Sequence, residues 1–133
     1  MKYAAALGIA LVLNACANLL MKLGMKPIEA AGGLFREGIA GAVTGVLTNR
    51  SLMIGLVCFA LNAGFYMYAL QSDALKISLA YPIMVGGGFA LIAVVARVHP
   101  ALAERLTTGQ MIGVAFILLG IVFVAFGSGR ARI

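Results

Sequence analysis

The stretch YAAALGIALVLNACANLLM, residues 3–21, decides the fold, because it contains no charged side chain. A helix needs about 20 apolar residues to cross a bilayer. Three further charge-free windows follow, at residues 51–72, 77–96 and 106–129. A backbone in hydrocarbon must satisfy its own hydrogen bonds, so each window should be helical. The sequence predicts an all-α integral membrane four-helix bundle, a single domain over 1–133 with spans of about 3–22, 51–72, 77–97 and 106–128.

The composition excludes a soluble enzyme. Of the 133 residues, 63% are hydrophobic and 11% are charged, with a mean hydropathy of +1.08. Soluble domains carry roughly a quarter of their residues as charges. The sequence has no cluster of histidine with carboxylates, no nucleophile beside a base and no phosphate-cradling loop. We therefore expect no enzymatic activity, no cofactor and no metal.

The first span also imitates a secretory signal with a lipid-modified cysteine. Lys2, the apolar run and Leu13-Asn14-Ala15-Cys16 carry that likeness. However, the polar Asn14 fits poorly near such a site, and the segment stays apolar as far as Met21. A retained membrane helix is the better interpretation.

The formal net charge of +6 does not indicate a nucleic-acid partner, because the basic residues stand at the ends of the apolar runs. Lysine and arginine at such places reach into the headgroup layer. The residues concerned are Lys22, Lys26, Arg50, Lys76, Arg97 and Arg105. They should give the protein affinity for anionic lipid headgroups.

The connection over residues 23–50 is long for so small a chain. Pro27 is expected to end the first helix, because proline interrupts helical hydrogen bonding. Beyond it, Phe35, Ile39, Val43 and Val46 or Leu47 recur at helical spacing, which predicts a short helix lying in the membrane interface. The tight connection at residues 73–76 predicts that spans two and three are antiparallel neighbours.

Asn14, Asn18 and Lys22 stand four residues apart and therefore share one face of the first helix. An amide in hydrocarbon costs free energy unless it is paired. The stripe could be hydrogen-bonding cement between helices. It could also line a polar path, since two neutral amides are followed by a cation near the interface.

The second and third spans add further candidates for such a path. Asn62 and Tyr66 are four residues apart in the second span, and Tyr81 precedes Pro82 in the third. Pro82 with Gly86, Gly87 and Gly88 predicts a kinked or bendable helix, as found around transport sites. The alternative is that these glycines permit close helix contact.

The fourth span has a different pattern. Gly113, Gly120 and Gly127 recur every seven residues, and no polar side chain lies between Met111 and Phe126. A stripe of this kind suits packing between helices. We expect it to form a dimer interface.

Several motifs resemble the drug/metabolite transporter superfamily. They are Leu20-Met21-Lys22, AYPI at 80–83 with the glycines after it, ERL at 104–106 and GVAFILLGIV at 113–122. The four-helix members of that superfamily include small multidrug resistance exporters. They also include paired small subunits proposed to flip aminoarabinose-linked undecaprenyl phosphate.

Departures from the exporters favour the flippase type. The exporters have a proton-carrying glutamate where this chain has Asn14, which cannot titrate. The tryptophan that follows the exporters' tyrosine by three residues is here Met84, and the chain has no tryptophan. The AYP motif and the longer first loop are more similar to the flippase subunits.

The resemblance implies a multi-pass inner-membrane transporter that flips a polyprenyl-phosphate-linked sugar or similar amphiphile between leaflets. It implies a homodimer, or a heterodimer with a paralogous four-helix subunit. Lys22 would meet the phosphate, and polar side chains would meet the headgroup: Asn14, Asn18, Asn62, Tyr66 and Tyr81. Two alternatives remain open, namely an exporter of small solutes and a non-transporting membrane adaptor for a lipid-modifying enzyme.

Overall fold

The computed structural model describes residues 1–100, 102 and 105–130, with side chains as far as 127. Its helices are α1 (Lys2–Ala30), α2 (Gly38–Thr48), α3 (Arg50–Ala69), α4 (Ile77–Val98) and α5 (Thr108–Arg130). Within those described ranges, α1, α3, α4 and α5 are long and apolar enough to cross a membrane. The all-α prediction is confirmed, and the short helix expected in the first connection is present as α2. The ERL motif falls partly on Glu104, which lies outside the described residues.

The first helix is longer than the sequence predicts. The expectation that Pro27 ends it is wrong, because α1 continues through Pro27 to Ala30. Near this proline, Asn49 Nδ2 donates a hydrogen bond to the Gly24 carbonyl at 2.8 Å. The carbonyl that Pro27 leaves without its helical donor is that of Leu23, four residues earlier. The Asn49 bond therefore ties α1 to the start of α3 one residue further along.

A glycine cap ends α1 instead. Gly32 has a φ of +109°, which side-chain-bearing residues rarely adopt. The Gly32 N–H donates to the Glu29 carbonyl at 3.1 Å, and the Gly33 N–H donates to the Ile28 carbonyl at 3.0 Å. These two bonds form a Schellman motif, which satisfies carbonyls at the end of a helix.

Helix α1 is the centre of the bundle, with α3 on one side and α4 on the other. The rings of Tyr3 and Tyr68 lie 5.4 Å apart at one end of the antiparallel α1–α3 pair. Towards the other end, Gly55 lies directly against Met21. In the described residues, spans two and three each pack mainly on the first span, and they come together at the core near the start of α1. The expectation that they are close neighbours fails over most of their length, because a short connection fixes direction and not packing.

The core lies in the half of the bundle near the start of α1. Small residues dominate it, and they bring the three helix backbones close together. Its buried members are Ala6, Leu7, Ala10, Ala69, Ala80 and Met84. Tyr66, Leu70, Leu75 and Ile83 pack around them.

Helix α5 stands at the edge of the bundle and packs on α4. None of its most hydrophobic window is buried within the chain. A capping box begins it, since the Thr107 N–H donates to Gln110 Oε1 at 2.8 Å and the Gln110 N–H donates to Thr107 Oγ1 at 3.3 Å. Its position leaves most of its surface to lipid or to another chain.

Candidate functional site

The polar stripe of the first helix runs from half-buried to exposed. Asn14 is half-buried, whereas Asn18 and Lys22 are exposed. Asn18 Nδ2 donates to the Asn14 carbonyl at 2.8 Å and lies 3.4 Å from Asn14 Oδ1. The two amides therefore form one polar unit, which begins inside the bundle and leads outwards towards the lysine.

Asn14 reaches the backbone of α4 at the triple glycine. A Cβ built at Gly88 would lie 3.0 Å from Asn14 Nδ2 and 3.9 Å from the Leu11 carbonyl oxygen. A Cβ at Gly87 would lie 2.5 Å from Leu11 Cδ1. The two glycines therefore leave room for the Leu11 and Asn14 side chains of α1 against α4.

The first glycine of the run, Gly86, serves a different contact. A Cβ at Gly86 would meet the side chains of Ile117 and Ile121 on α5. Gly86 thus lies where α4 packs against α5, and the run of three glycines serves both helix contacts. Helix α4 is continuous through Pro82. A bend at Pro82 stays a prediction.

Among the residues that the structure describes, Asn62 is the polar one that is buried, with 4% of its surface exposed. Its Oδ1 accepts no hydrogen bond from the described residues. The buried Tyr66 hydroxyl has no hydrogen-bond partner among them either. Buried polar atoms are nearly always hydrogen-bonded, so such exceptions call for an explanation. One explanation is a polar group that binds between the helices.

The antiparallel register brings Asn62 to the level of the polar unit on α1. The Tyr3–Tyr68 and Met21–Gly55 contacts bracket the α1–α3 pair. Asn62 lies about halfway between the two contacts along α3. Asn14 lies within one turn of the corresponding point of α1. Polar side chains of the two helices therefore occur at the same depth.

Tyr81 lies close enough to Tyr66 for their hydroxyls to interact electrostatically. Its side chain is 55% exposed, so the ring lies on the outer surface of α4. We use the term polar row for the candidate residues Asn14, Asn18, Asn62, Tyr66 and Tyr81. Tyr81 stands at the end of this row that is farther from Lys22. The structure brings Tyr81 near Tyr66, but it leaves Lys22 near the other end of α1.

The three glycines of α5 form an open surface. A Cβ built at Gly113, Gly120 or Gly127 would meet nothing within 4 Å. They therefore make no close contact within the chain, unlike Gly86, Gly87 and Gly88. Their part in a dimer stays a prediction.

One feature was missed by the sequence analysis. A cavity of about 370 Å³ lies between the end of α1, the following connection and α2, and its lining includes Arg36 and Glu37. Adjacent opposite charges in a glycine-rich loop were the available signal. The contact of Arg36 with the end of α1 depends on the turn at Gly32, and the spacing of residues in the sequence does not predict it.

The fold and these side chains define a class: a multi-pass, all-helical membrane protein with polar side chains at the same depth of two adjacent spans. A comparison with known proteins places it further. The chain is 33% identical over 116 residues to the uncharacterized protein y4nH of Sinorhizobium fredii, over 86% of this chain and 88% of that protein. The chain belongs to the same family as y4nH.

Shorter matches connect the chain to flippase subunits. It is 40% identical over 73 residues to the "Probable 4-amino-4-deoxy-L-arabinose-phosphoundecaprenol flippase subunit ArnF" of Aeromonas hydrophila, over 55% of this chain and 48% of that subunit. The subunit of the same name from Aeromonas salmonicida is 39% identical over 79 residues, 59% of this chain and 51% of that subunit. The match thus spans about half of each flippase subunit. No family model matches the sequence, and no solved structure matches it.

Proposed function

We propose that the protein is a membrane transporter that moves a polyprenyl-phosphate-linked sugar, or a similar amphiphile, between the leaflets of the inner membrane. The similarity to flippase subunits supports the class of substrate. The observation that carries the proposal is the pair of buried, unpartnered oxygens, Asn62 Oδ1 and Tyr66 Oη, at the centre of an otherwise apolar bundle.

The polar row suits an amphiphile better than a fully enclosed solute. A sugar headgroup carries hydroxyls, which can donate to Asn62 Oδ1 and pair with the amides of Asn14 and Asn18. The exposed Lys22 can meet a phosphate as the headgroup enters. The hydrocarbon tail stays in lipid throughout, so its transfer costs little.

The site requires a second chain. One chain presents α1 as a central helix with α3 and α4 on either side, and this arrangement leaves the outward part of the polar stripe exposed. A second copy, or a paralogous four-helix subunit, would close the path over that stripe. The proposed unit is therefore a homodimer or heterodimer.

The test is lipid movement in proteoliposomes that contain a short-chain polyprenyl phosphate linked to a fluorescent amino sugar. The wild-type chain, alone or with its paralogous subunit, should make the inner-leaflet fluorophore accessible to an external quencher. At an unchanged protein level, Lys22→Met should lower the rate at least about tenfold, because the phosphate loses its charged partner. Lys22→Arg should keep most of the activity.

Arg50→Met is the matched control, because it removes another exposed cation near the same end of the bundle. It should leave the rate within about twofold of wild type, a change of under 1 kcal/mol in the barrier. Full activity of Lys22→Met would contradict the role of Lys22. Uptake of a soluble sugar phosphate with no lipid movement would overturn the lipid substrate in favour of a small-solute exporter. No movement of either probe would favour a membrane adaptor.

A further inference from the structure

A second polar feature lies outside the proposed lipid path. The open cavity of about 370 Å³ is bounded by the last turns of α1, the connection that follows and one face of α2. Its volume falls within the range of small-molecule sites, roughly 300–1,000 Å³. The charged side chains on its wall are Arg36 and Glu37.

Glycines keep the cavity open. Gly33 and Gly45 both line it, and a Cβ built at either position would meet nothing within 4 Å. Gly45 lies inside α2, where glycine is otherwise unfavourable by about 1 kcal/mol relative to alanine. A side chain at Gly45 would project into the empty volume without disturbing the packing of the chain.

The guanidinium group of Arg36 is held in place from two directions. Its Nη1 donates a hydrogen bond to the Ala31 carbonyl, where α1 ends. Its side chain lies across Gly32, where a Cβ would be 2.9 Å from Arg36 Cδ. Arginine has five N–H donors, so a fixed guanidinium with one of them engaged still offers a fork that matches a phosphate.

The side chain of Glu37 also follows the surface of a glycine. The side chain lies across Gly41, where a Cβ would be 2.5 Å from Glu37 Cβ and 3.5 Å from Oε2. Among the residues that the structure describes, no ion pair engages Arg36 or Glu37. The cavity therefore offers one anion-binding and one cation-binding group on the same wall.

We propose that this cavity binds a zwitterion of the phosphoethanolamine type, in which a phosphate and a primary amine are separated by a short chain. Arg36 binds the phosphate and Glu37 binds the ammonium group. A phosphate alone would leave the Glu37 carboxylate beside it as a like charge, and an amine alone would do the same with Arg36. The site does not depend on the lipid path, since none of the path residues lines it.

The same chemistry occurs in a water-soluble molecule and in a lipid headgroup, so the experiment has two arms. In the first, O-phosphoethanolamine is titrated calorimetrically into the full chain in nanodiscs of phosphatidylglycerol. In the second, the chain is released from mixed phosphatidylethanolamine and phosphatidylglycerol nanodiscs, and the retained lipid is quantified by native mass spectrometry. Binding in the first arm indicates a soluble ligand, and selective retention in the second indicates a headgroup.

Gly45→Leu should fill the cavity and weaken binding at least about tenfold in whichever arm is positive, a loss equivalent to 1.4 kcal/mol. Ala40→Leu makes a similar change at an exposed position of the same helix and should leave binding within about twofold. Arg36→Gln should abolish binding of the zwitterion. Glu37→Gln should remove the preference for phosphoethanolamine over inorganic phosphate. Circular dichroism and gel filtration establish that each variant is folded.

Three results would overturn the proposal. The first is no binding of either probe by the folded wild-type chain. The second is equal binding by Gly45→Leu and Ala40→Leu, which would place the ligand elsewhere. The third is that inorganic phosphate binds wild type as tightly as phosphoethanolamine, which would leave no role for Glu37. None of these results bears on lipid movement, which the proteoliposome assay measures separately.

Discussion

At the scale of single residues, Asn62 is a buried side chain whose amide oxygen has no hydrogen-bond partner among the described residues. Burying an amide oxygen without a partner costs about 1–3 kcal/mol. A leucine, which is branched in the same way but has no polar atom, would avoid that cost. A polar residue kept at such a place is better explained by binding than by stability.

The variant Asn62→Leu should lose activity but not stability. Its free energy of unfolding, measured by thermal unfolding in detergent, should fall by less than about 1 kcal/mol or should rise. The reason is that an unsatisfied acceptor is replaced by an apolar group. Its lipid movement in proteoliposomes should fall to background. A large loss of stability together with the loss of transport would instead identify Asn62 as part of the helix packing.

At the scale of helices, glycine determines how closely the spans approach. A Cβ at Gly55 would lie 3.2 Å from the Ala17 carbonyl oxygen and 3.3 Å from the Met21 backbone nitrogen. Backbone atoms cannot move aside as a side-chain end can. The α1–α3 contact therefore depends on the missing side chain at this position.

Gly55→Leu should destabilise the protein by about 1–3 kcal/mol, the usual cost of overpacking a well-packed interior. Gly64→Leu is the matched control on the same helix, because a Cβ at Gly64 would meet nothing within 4 Å. It should leave the free energy of unfolding unchanged or slightly higher. Unfolding monitored by circular dichroism in increasing denaturant measures both, and equal stabilities would show that α1 and α3 are not held at this contact.

The short helix α2 presents its apolar residues outwards. Ile39, Val43 and Leu47 of α2 are exposed, as is Phe35 just before it, whereas Ala42 is buried towards the rest of the chain. A helix with such a face at the end of a membrane bundle is suited to lie in the lipid interface. The interfacial position of α2 stays a prediction.

At the scale of the whole molecule, the glycines of α4 and α5 are of two kinds, those covered within the chain and those on the exposed apolar surface of α5. Gly86 is covered by α5 within the chain, whereas Gly113, Gly120 and Gly127 face open space. In lipid, apolar exposure alone does not drive association. Small residues do favour it, because they let two helix backbones approach closely.

Gly120→Leu should therefore weaken self-association, or association with a paralogous subunit, at least about tenfold without altering the stability of the chain. Ala115→Leu is the control, since Ala115 is exposed on the opposite side of α5. Single-molecule photobleaching of labelled chains in nanodiscs at increasing protein-to-lipid ratio gives the dimer fraction. Equal dimer fractions for the two variants would show that the glycine stripe is not the interface.

The sequence by itself determined that this is a helical membrane protein, where its spans lie and which side chains could form a polar row. Hydropathy and helical periodicity are local properties, summed over neighbouring residues, so the charge-free windows and the Asn14, Asn18, Lys22 spacing carry that information directly. The extent of the first helix was misjudged because contacts near its end, such as the hydrogen bond from Asn49 to the Gly24 carbonyl, come from a residue 25 positions away in the sequence.

Only the tertiary structure decided which helix is central, which amide is buried and which glycines are covered. Asn14, Asn18 and Asn62 are the same residue type in similar apolar surroundings, yet Asn62 is buried, Asn14 half-buried and Asn18 exposed. The cavity beside Arg36 likewise forms because the chain turns at Gly32, so that α2 lies beside the end of α1. Both outcomes depend on contacts between segments distant in sequence, and a pattern within one segment cannot specify them.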